Sequence, residues 1–371
     1  MLLDTWQRKG DGDGRSQTGG KIIGEGSYGC AFDRPLVCSG SAQAQAQVQA
    51  QAQPGKAVGK ISLRSQAEVE IKRSDLLETI PYAKNYYALI ENTCELAPRK
   101  KQTDADFDKC EVVNEFPYKN LVQIVMPYGG RSLDSMKKGI NAKTIHFYEF
   151  GRHWLEAGAL LLSKGIVHYD LHTGNVLVKD PNTPILIDFG ISWKSSILNE
   201  KTAAKLADSG YSPKHSHYAP ELSLCDAIND GLKLDDRVYA DIIEKNGTHA
   251  ILEKVFGIPS KKSVEALRDF ATDSTSIEKR DWLAFFKTYW PKIDAWGFGR
   301  ILLRIYALMI FDTNFKEDAT RTHMYKTVFI RLLHPNPRRR INVAQALALW
   351  DTRSPILKVA DVARWLNPGT A

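Results

Sequence analysis

His168-Tyr169-Asp170-Leu171-His172-Thr173-Gly174-Asn175 is followed by the apolar run Val176-Leu177-Val178, and a second run, Ile185-Leu186-Ile187, leads into Asp188-Phe189-Gly190. Two carboxylates thus stand eighteen positions apart at the edges of short strand-like runs, with an amide side chain between them. Oxygen ligands of this kind suit a hard divalent cation such as Mg²⁺. Each part has a bland reading: an Asp in a loop is usually a turn or cap residue, and Asp-Phe-Gly is short enough to occur by chance. Chance does not supply the order and spacing of all the parts together. The set matches the needs of phosphoryl transfer, with Asp188 and Asn175 holding metal and Asp170 accepting a substrate hydroxyl proton. His168 reads as a hydrogen-bonded structural histidine.

Upstream, Gly24-Glu25-Gly26-Ser27-Tyr28-Gly29 follows an apolar strand start at Lys21-Ile22-Ile23. Glycines let the backbone approach phosphates and turn its N–H groups toward negative charge. A glycine-bearing hairpin with no ligand is the plain alternative, and a dinucleotide fold is a third. In the dinucleotide fold the loop leads straight into a helix. Here Cys30-Ala31-Phe32 reads as a second strand, which favours a phosphate-covering hairpin. Lys60 lies in the strand-like Ala57-Val58-Gly59-Lys60-Ile61, and a lysine facing phosphates needs an acidic partner. Glu68 and Glu70 are both candidates on a helix expected over 65–80, with Glu70 preferred. Two other resemblances fail on inspection. Gly14 to Lys21 lacks the first glycine and the hydroxyl residue of a P-loop. Asp11-Gly12-Asp13-Gly14 meets Ile22 where a calcium loop needs its bidentate Glu.

Composition sets the bounds. The 371 residues exceed one typical domain and allow two lobes with a large core. The net charge of +7 is spread over 50 basic and 43 acidic residues, so no nucleic-acid partner is expected. The cysteines, Cys30, Cys38, Cys94, Cys110 and Cys225, show no CxxC pair and no metal spacing. An odd count without a framework points to a reducing compartment. The apolar run Trp296 to Phe311 is interrupted by Arg300 and Arg304 and is too short to span a bilayer. The expectation is therefore a soluble, intracellular chain without a membrane partner.

Along the chain, residues 1–19 read as a disordered polar leader and 20–127 as a strand-rich N-terminal lobe. A Gln/Ala-rich insertion occupies 41–53. Further strands are expected at 57–63, 86–91 and 121–126. Residues 128–355 read as a helix-rich lobe, with helices over 144–164, 295–311 and 324–334 and a charged insertion at about 222–285. A C-terminal tail covers 356–371. The fold class is α+β.

Together these residues resemble the eukaryotic-type protein kinase family across roughly residues 21–350. The resemblance implies a bilobal protein-kinase-like fold, with a small antiparallel β N-lobe and a larger, mainly helical C-lobe. ATP and Mg²⁺ are the implied cofactors, with Mn²⁺ as an alternative ion, and Gly24 to Gly29, Ala31, Lys60 and Glu70 lie around the nucleotide. Met126, Tyr128 and Gly129 fall where the adenine-binding hinge belongs, and Tyr128 or Gly129 can donate a backbone N–H although Pro127 cannot. Asp170, Lys60, Asn175 and His172 are the implied catalytic set, and Asn175 and Asp188 the metal set. Ala219-Pro220-Glu221 looks like the motif that closes the activation segment. Asp294 looks like the residue that braces the catalytic loop, and Arg340 like the partner of Glu221. The texture around Gly24 to Cys38 looks most like kinases of large DNA viruses, whose setting would be the host cytoplasm or the virion.

The departures from the family bear on function. Tyr169 stands where an Arg usually precedes the catalytic Asp, so dependence on a loop phosphate at Thr202, Ser212 or Ser216 is not expected. His172 replaces the Lys usual in Ser/Thr kinases and supplies a full charge only when protonated. Ala31 replaces a valine. The expected function is an ATP-dependent protein serine/threonine kinase acting on a protein substrate. The alternatives are a small-molecule phosphotransferase of the aminoglycoside or choline type, suggested by HxDxHxGN, and a catalytically weak pseudokinase scaffold.

Overall fold

The computed structural model describes residues 20–26, 29–39, 55–102, 106–208 and 217–367. The expected leader, Ser27 and Tyr28, the Gln/Ala insertion, Ser212 and Ser216, and the last residues of the tail lie outside the described residues. The protein is α+β and divides into two compact units. One comprises Met1–Lys138, Gly174–Asp180 and Ile185–Gly190; the other comprises Gly139–Thr173, Pro181–Pro184 and Ile191–Ala371.

The first unit is built on a five-stranded antiparallel sheet of order β1-β2-β3-β5-β4. Its strands are β1 (Ile22–Gly26), β2 (Gly29–Phe32), β3 (Ala57–Leu63), β4 (Asn92–Glu95) and β5 (Leu121–Pro127). β3 and β5 pair over seven residues, from Ala57 opposite Pro127 to Leu63 opposite Leu121. Both are buried at most positions because both of their faces are covered. Phe32, Ile61, Leu96, Phe107 and Leu121 fill one face. Helix α1 (Arg64–Glu78) sends Ala67 against Val122 and Ile124 on the other. Gln123, buried in mid-strand, has its amide satisfied: Oε1 accepts from Leu36 N–H at 2.6 Å and Nε2 donates to Leu36 O at 3.1 Å.

The expected strand at 86–91 is not one; the ladder strand is the more polar β4. Tyr86, Tyr87 and Leu89 are buried, but Tyr87 makes an isolated parallel bridge to Leu186 instead of joining the sheet. Apolar content there reports packing, not pairing. Within the same unit, β6 (Arg131–Ser132) pairs with β8 (Val176–Val178), and β9 (Pro184–Leu186) completes a three-stranded sheet.

The cysteines overturn the reasoning from their spacing. Cys30 is bonded to Cys110 and Cys38 to Cys94, across 80 and 56 residues, and only the buried Cys225 is a free thiol. Partners that far apart leave no local motif, so the odd count concealed two pairs. The cysteine argument for a reducing compartment falls with it. Cys30 and Cys110 tie β2 to the start of the short helix α2 (Glu111–Glu115).

The second unit is helical. Helix α3 (Phe147–Ser163) is buried along most of its length and packs on α9 (Trp282–Met309) and α11 (Val343–Trp350), with α10 (Ala319–Leu332) between the last two in sequence. Trp154 lies 4.4 Å, centroid to centroid, from Phe298 and donates its indole N–H to Phe298 O at 3.2 Å. Between Glu200 and Asp273 the chain forms α4 (Glu200–Ala207), α5 (Pro220–Asn229), α6 (Asp236–Asn246), α7 (Thr248–Phe256) and α8 (Ser260–Asp273). Helix α9 starts thirteen residues before its expected beginning at 295 and runs through Pro291. Asp281 caps it by accepting from Ala284 N–H at 2.9 Å, and the buried Phe285, Phe286 and Tyr289 support the turn that Pro291 weakens. A two-stranded ribbon of β7 (Ile166–Val167) and β10 (Trp193–Lys194) completes the unit. Among the described residues no helix is long and apolar enough to cross a membrane.

Candidate active site

In the first unit the hairpin, the central strands and α1 enclose an apolar cavity. Ile23, Ala31 and Val58 line it, as do Leu177 and Ile187, with Met126 and Tyr128 at its rim and Lys60, Glu70 and Asp188 at its charged end. Lys60 lies opposite Ala31 on one side and Ile124 on the other, so the centre of the sheet sets its direction. Its Nζ is 2.6 Å from Glu70 Oε1, each side chain about one-fifth exposed. Burial presses the Lys60 ammonium toward neutrality, but the charges of Glu70 and Asp188 outweigh it and hold its pKa above the ordinary value.

The pairing settles which glutamate faces Lys60. Ala67, Ser74 and Leu77 are the buried positions of α1, and Glu70 completes that stripe at three- and four-residue intervals, while Glu68 is exposed. Val69, apolar and next to Glu70 in sequence, is exposed. The stripe was hard to read because it is only half apolar, its polar members facing a charged site.

The rim of the cavity sharpens the expectation for the backbone donors. Tyr128 N–H, one of the two expected donors, already donates to Lys56 O at 2.9 Å. A Cβ on Gly129 would come within 2.7 Å of Leu177 Cδ1, so a side chain there would collide with the cavity wall. Gly24, Gly26 and Gly29 lie on the β1–β2 hairpin; the Cβ of any residue replacing Gly29 would strike Ile61 O. Glu25 is engaged within the protein, accepting from Glu111 N–H at 3.1 Å.

Asp188 sits at φ 61°, a left-handed conformation that Asp tolerates better than most residues, and its Oδ1 accepts from Gly190 N–H at 3.1 Å. Arg73, one turn beyond Glu70, donates to Gly190 O, a second fastening of this loop that sequence reasoning missed. Burial lowers the Arg73 pKa, against the pull of Glu70 and Asp188. Asn175 is buried, and its carbonyl accepts from Ile187 N–H at 3.0 Å, which ties the two ends of the β8–β9 segment together.

Asp170 and His172 belong to the second unit. Asp294, half-buried in α9, accepts from His168 N–H at 2.6 Å and Tyr169 N–H at 3.0 Å, and His168 Nδ1 accepts from Asp170 N–H at 3.2 Å. Burial raises the Asp294 pKa against the opposing effect of these hydrogen bonds. Tyr169 takes φ 70°, and its hydroxyl donates to Leu206 O at 2.8 Å. Tyr169 is thus packed into the unit and fixed at both ends.

Two imidazoles flank Asp170. His217 Nε2 is 3.1 Å from Oδ1, and His172 Nε2 is 3.7 Å from Oδ2. Burial alone would raise the Asp170 pKa, yet the two histidines hold it far below the ordinary carboxylate range. His217 was not legible in the sequence as a site residue. The available signal was its place two residues before Ala219-Pro220-Glu221, but a lone histidine there has no spacing rule.

Beyond it, Glu221 Oε1 and Oε2 accept from Arg340 at 2.6 and 2.7 Å, with both side chains fully buried. Arg340 also donates to His334 O and Lys292 O, each at 2.9 Å, and its guanidinium lies 5.1 Å from the Trp296 ring centroid.

Compared with known proteins, the chain matches no family model and no curated relative.

Proposed function

We propose that the chain is an ATP-dependent protein serine/threonine kinase of the bilobal protein-kinase fold. The observation that carries the reading is Lys60, kept cationic between Glu70 and Asp188 at the end of an apolar cavity. A planar base would fit between Ile23, Ala31 and Val58 and the Leu177–Ile187 wall, with the Met126–Tyr128 backbone at its edge. Lys60 then meets the phosphates, and the hairpin glycines bring backbone N–H groups to them.

Asp188 and Asn175 offer one carboxylate and one amide, an all-oxygen set that fits Mg²⁺ or Mn²⁺ and not a thiophilic metal. A divalent ion held there would neutralise charge on the phosphates during transfer. Arg73 and Gly190 N–H keep the Asp188 loop in one conformation. Asp170, held ionised by its two histidines, orients the acceptor hydroxyl and takes its proton. The buried Glu221–Arg340 pair anchors the start of α5, next to the segment that would present a peptide acceptor.

The test is phosphate transfer from labelled ATP-Mg²⁺ to generic protein substrates by the full chain and by Asp170→Asn. The wild type is expected to label protein, and the variant to do so about 10²- to 10⁴-fold more slowly while retaining ATP binding. Nucleotide binding without transfer to protein, metabolite or water would overturn the enzyme reading in favour of a scaffold. Transfer to an aminoglycoside or choline alone would move the assignment to a small-molecule kinase.

A further inference from the structure

Three groups able to hold a metal meet beside the β1–β2 hairpin, all within the first unit. A carboxylate oxygen of Glu25 and the sulfurs of Cys30 and Cys110 lie within 4.8 Å of one another. Both cysteines are buried, and Glu25 is half-buried. The sulfurs are bonded to each other as a disulfide, and Glu25 Oε1 stands 3.4 Å from Cys30 Sγ. Glu111 N–H steadies the carboxylate from 3.1 Å away, but the disulfide offers it no donor. Its nearness to the sulfurs gains a use once the pair is reduced.

Tetrahedral zinc binds thiolate at about 2.3 Å and carboxylate oxygen at about 2.0 Å, which sets sulfur and oxygen about 3.5 Å apart. The Glu25–Cys30 spacing is already close to that value. Two thiolates on one zinc stand about 3.8 Å apart, within reach of side chains whose Cα atoms are 5.9 Å apart. Two sulfurs and one oxygen suit a borderline-soft ion such as Zn²⁺ and not Mg²⁺. Metal-bound carboxylates are themselves held by hydrogen bonds, a role that Glu111 N–H is placed to fill.

We propose that Cys30, Cys110 and Glu25 form a redox-gated zinc site: a disulfide when oxidised, and when reduced a set of two thiolates and one carboxylate that binds one Zn²⁺. A dithiol reductant supplies two electrons and two protons and becomes a disulfide itself. The Cys30–Cys110 bond breaks, and each sulfur takes one proton. Zinc then releases both protons to solvent as two Zn–S bonds form. Glu25 adds the third protein ligand, and water takes the fourth tetrahedral position. Either linkage ties β2 to the start of α2, so the hairpin stays fastened in both redox states. The chemistry of the site is independent of the kinase reading.

The experiment uses the full chain, reduced by a phosphine, which passes to its oxide with oxygen from water and holds zinc far less tightly than a dithiol. Titration with Co²⁺ reports thiolate ligation through its charge-transfer band, competition by Zn²⁺ gives the affinity, and thermal melts follow folding. One Co²⁺ per reduced chain is expected, displaced by Zn²⁺, and Zn²⁺ should raise the melting temperature of the reduced chain. Loss of a supporting partner alone costs about 10- to 100-fold in metal affinity, so Cys110→Ser, which removes a ligand, should cost more than about 100-fold. Glu25→Gln keeps both sulfurs and should cost about 10- to 100-fold. Cys94→Ser, in the other disulfide, should leave the affinity unchanged. A reduced chain that takes up no metal overturns the proposal, as does uptake that survives Cys110→Ser or that is equal in the oxidised chain. If Cys110→Ser does not melt cooperatively, Glu25→Gln decides: wild-type affinity in that variant overturns the site.

Discussion

The two units are held together by different means. The smaller, sheet-based unit is fastened by two disulfides, and its principal ion pair, Lys60–Glu70, stays partly open to solvent at the edge of a cavity. The larger helical unit has no disulfide among its described residues. It has a core of large aromatic side chains, Trp154, Phe150, Phe285, Phe286, Trp296 and Phe298, and it seals Glu221 and Arg340 completely. Small units bury a lower fraction of their surface and depend more on cross-links. A large core can enclose a charged pair, provided every donor on it is used. Lys60, Glu70 and Asp170 keep part of their surface exposed, whereas the Glu221–Arg340 pair at the start of α5 is sealed.

The largest expected effect tests the sealed pair. Arg340→Ala leaves Glu221 buried without its partner and should cost about 3–5 kcal/mol in urea unfolding. Replacing both residues by apolar ones of similar volume should return much of that. A loss below about 1 kcal/mol for the single variant would mean that the pair is not the anchor its geometry suggests.

Opening the disulfides comes next. Closing loops of this length is worth about 2–4 kcal/mol per bridge. Cys30→Ser, which opens one bridge, should speed hydrogen exchange in β2 and leave α3 and α9 as protected as before. Equal loosening of both units would break the comparison.

The smallest effect is a pH dependence confined to the helical unit. His249 is buried, its Nδ1 within 2.8 Å of Ser263 Oγ, and burial lowers its pKa to about 3. Between that value and the ordinary value of about 6.5, the unfolded chain carries a proton that the folded one does not. The contribution of the neutral ring is therefore complete above about pH 6.5, falls as the pH drops, and levels out below about 3. At pH 5 the loss should be about 2 kcal/mol relative to a His249→Gln variant, whose side chain does not titrate. Parallel stability curves for the two proteins between pH 7 and 5 would refute this.

Much of the frame was legible in the residue order. The β1–β2 hairpin, β3, β5 and helices near 144–164 and 324–334 follow from periodicity and glycine placement, and the structure shifts their ends by only a few residues. The 86–91 segment was misread because burial against Leu186 produces the same apolar run as a strand. The inward face of α1 was half misread because its stripe of Ala67, Glu70, Ser74 and Leu77 carries little hydrophobic contrast. Lys60 and Glu70 could be proposed as partners, but Glu68 was separable only once the helix had a face.

By itself the sequence determined the local elements and the order of chemical groups along the chain, because 2- and 3.6-residue periods and glycine-dependent turns are properties of neighbouring residues. Only the tertiary structure decided that Cys30 meets Cys110, that Cys38 meets Cys94, that Arg73 holds Gly190 and that His217 comes beside Asp170. Those contacts join residues 47 to 117 positions apart. At such distances no period constrains the partner, and packing alone selects it.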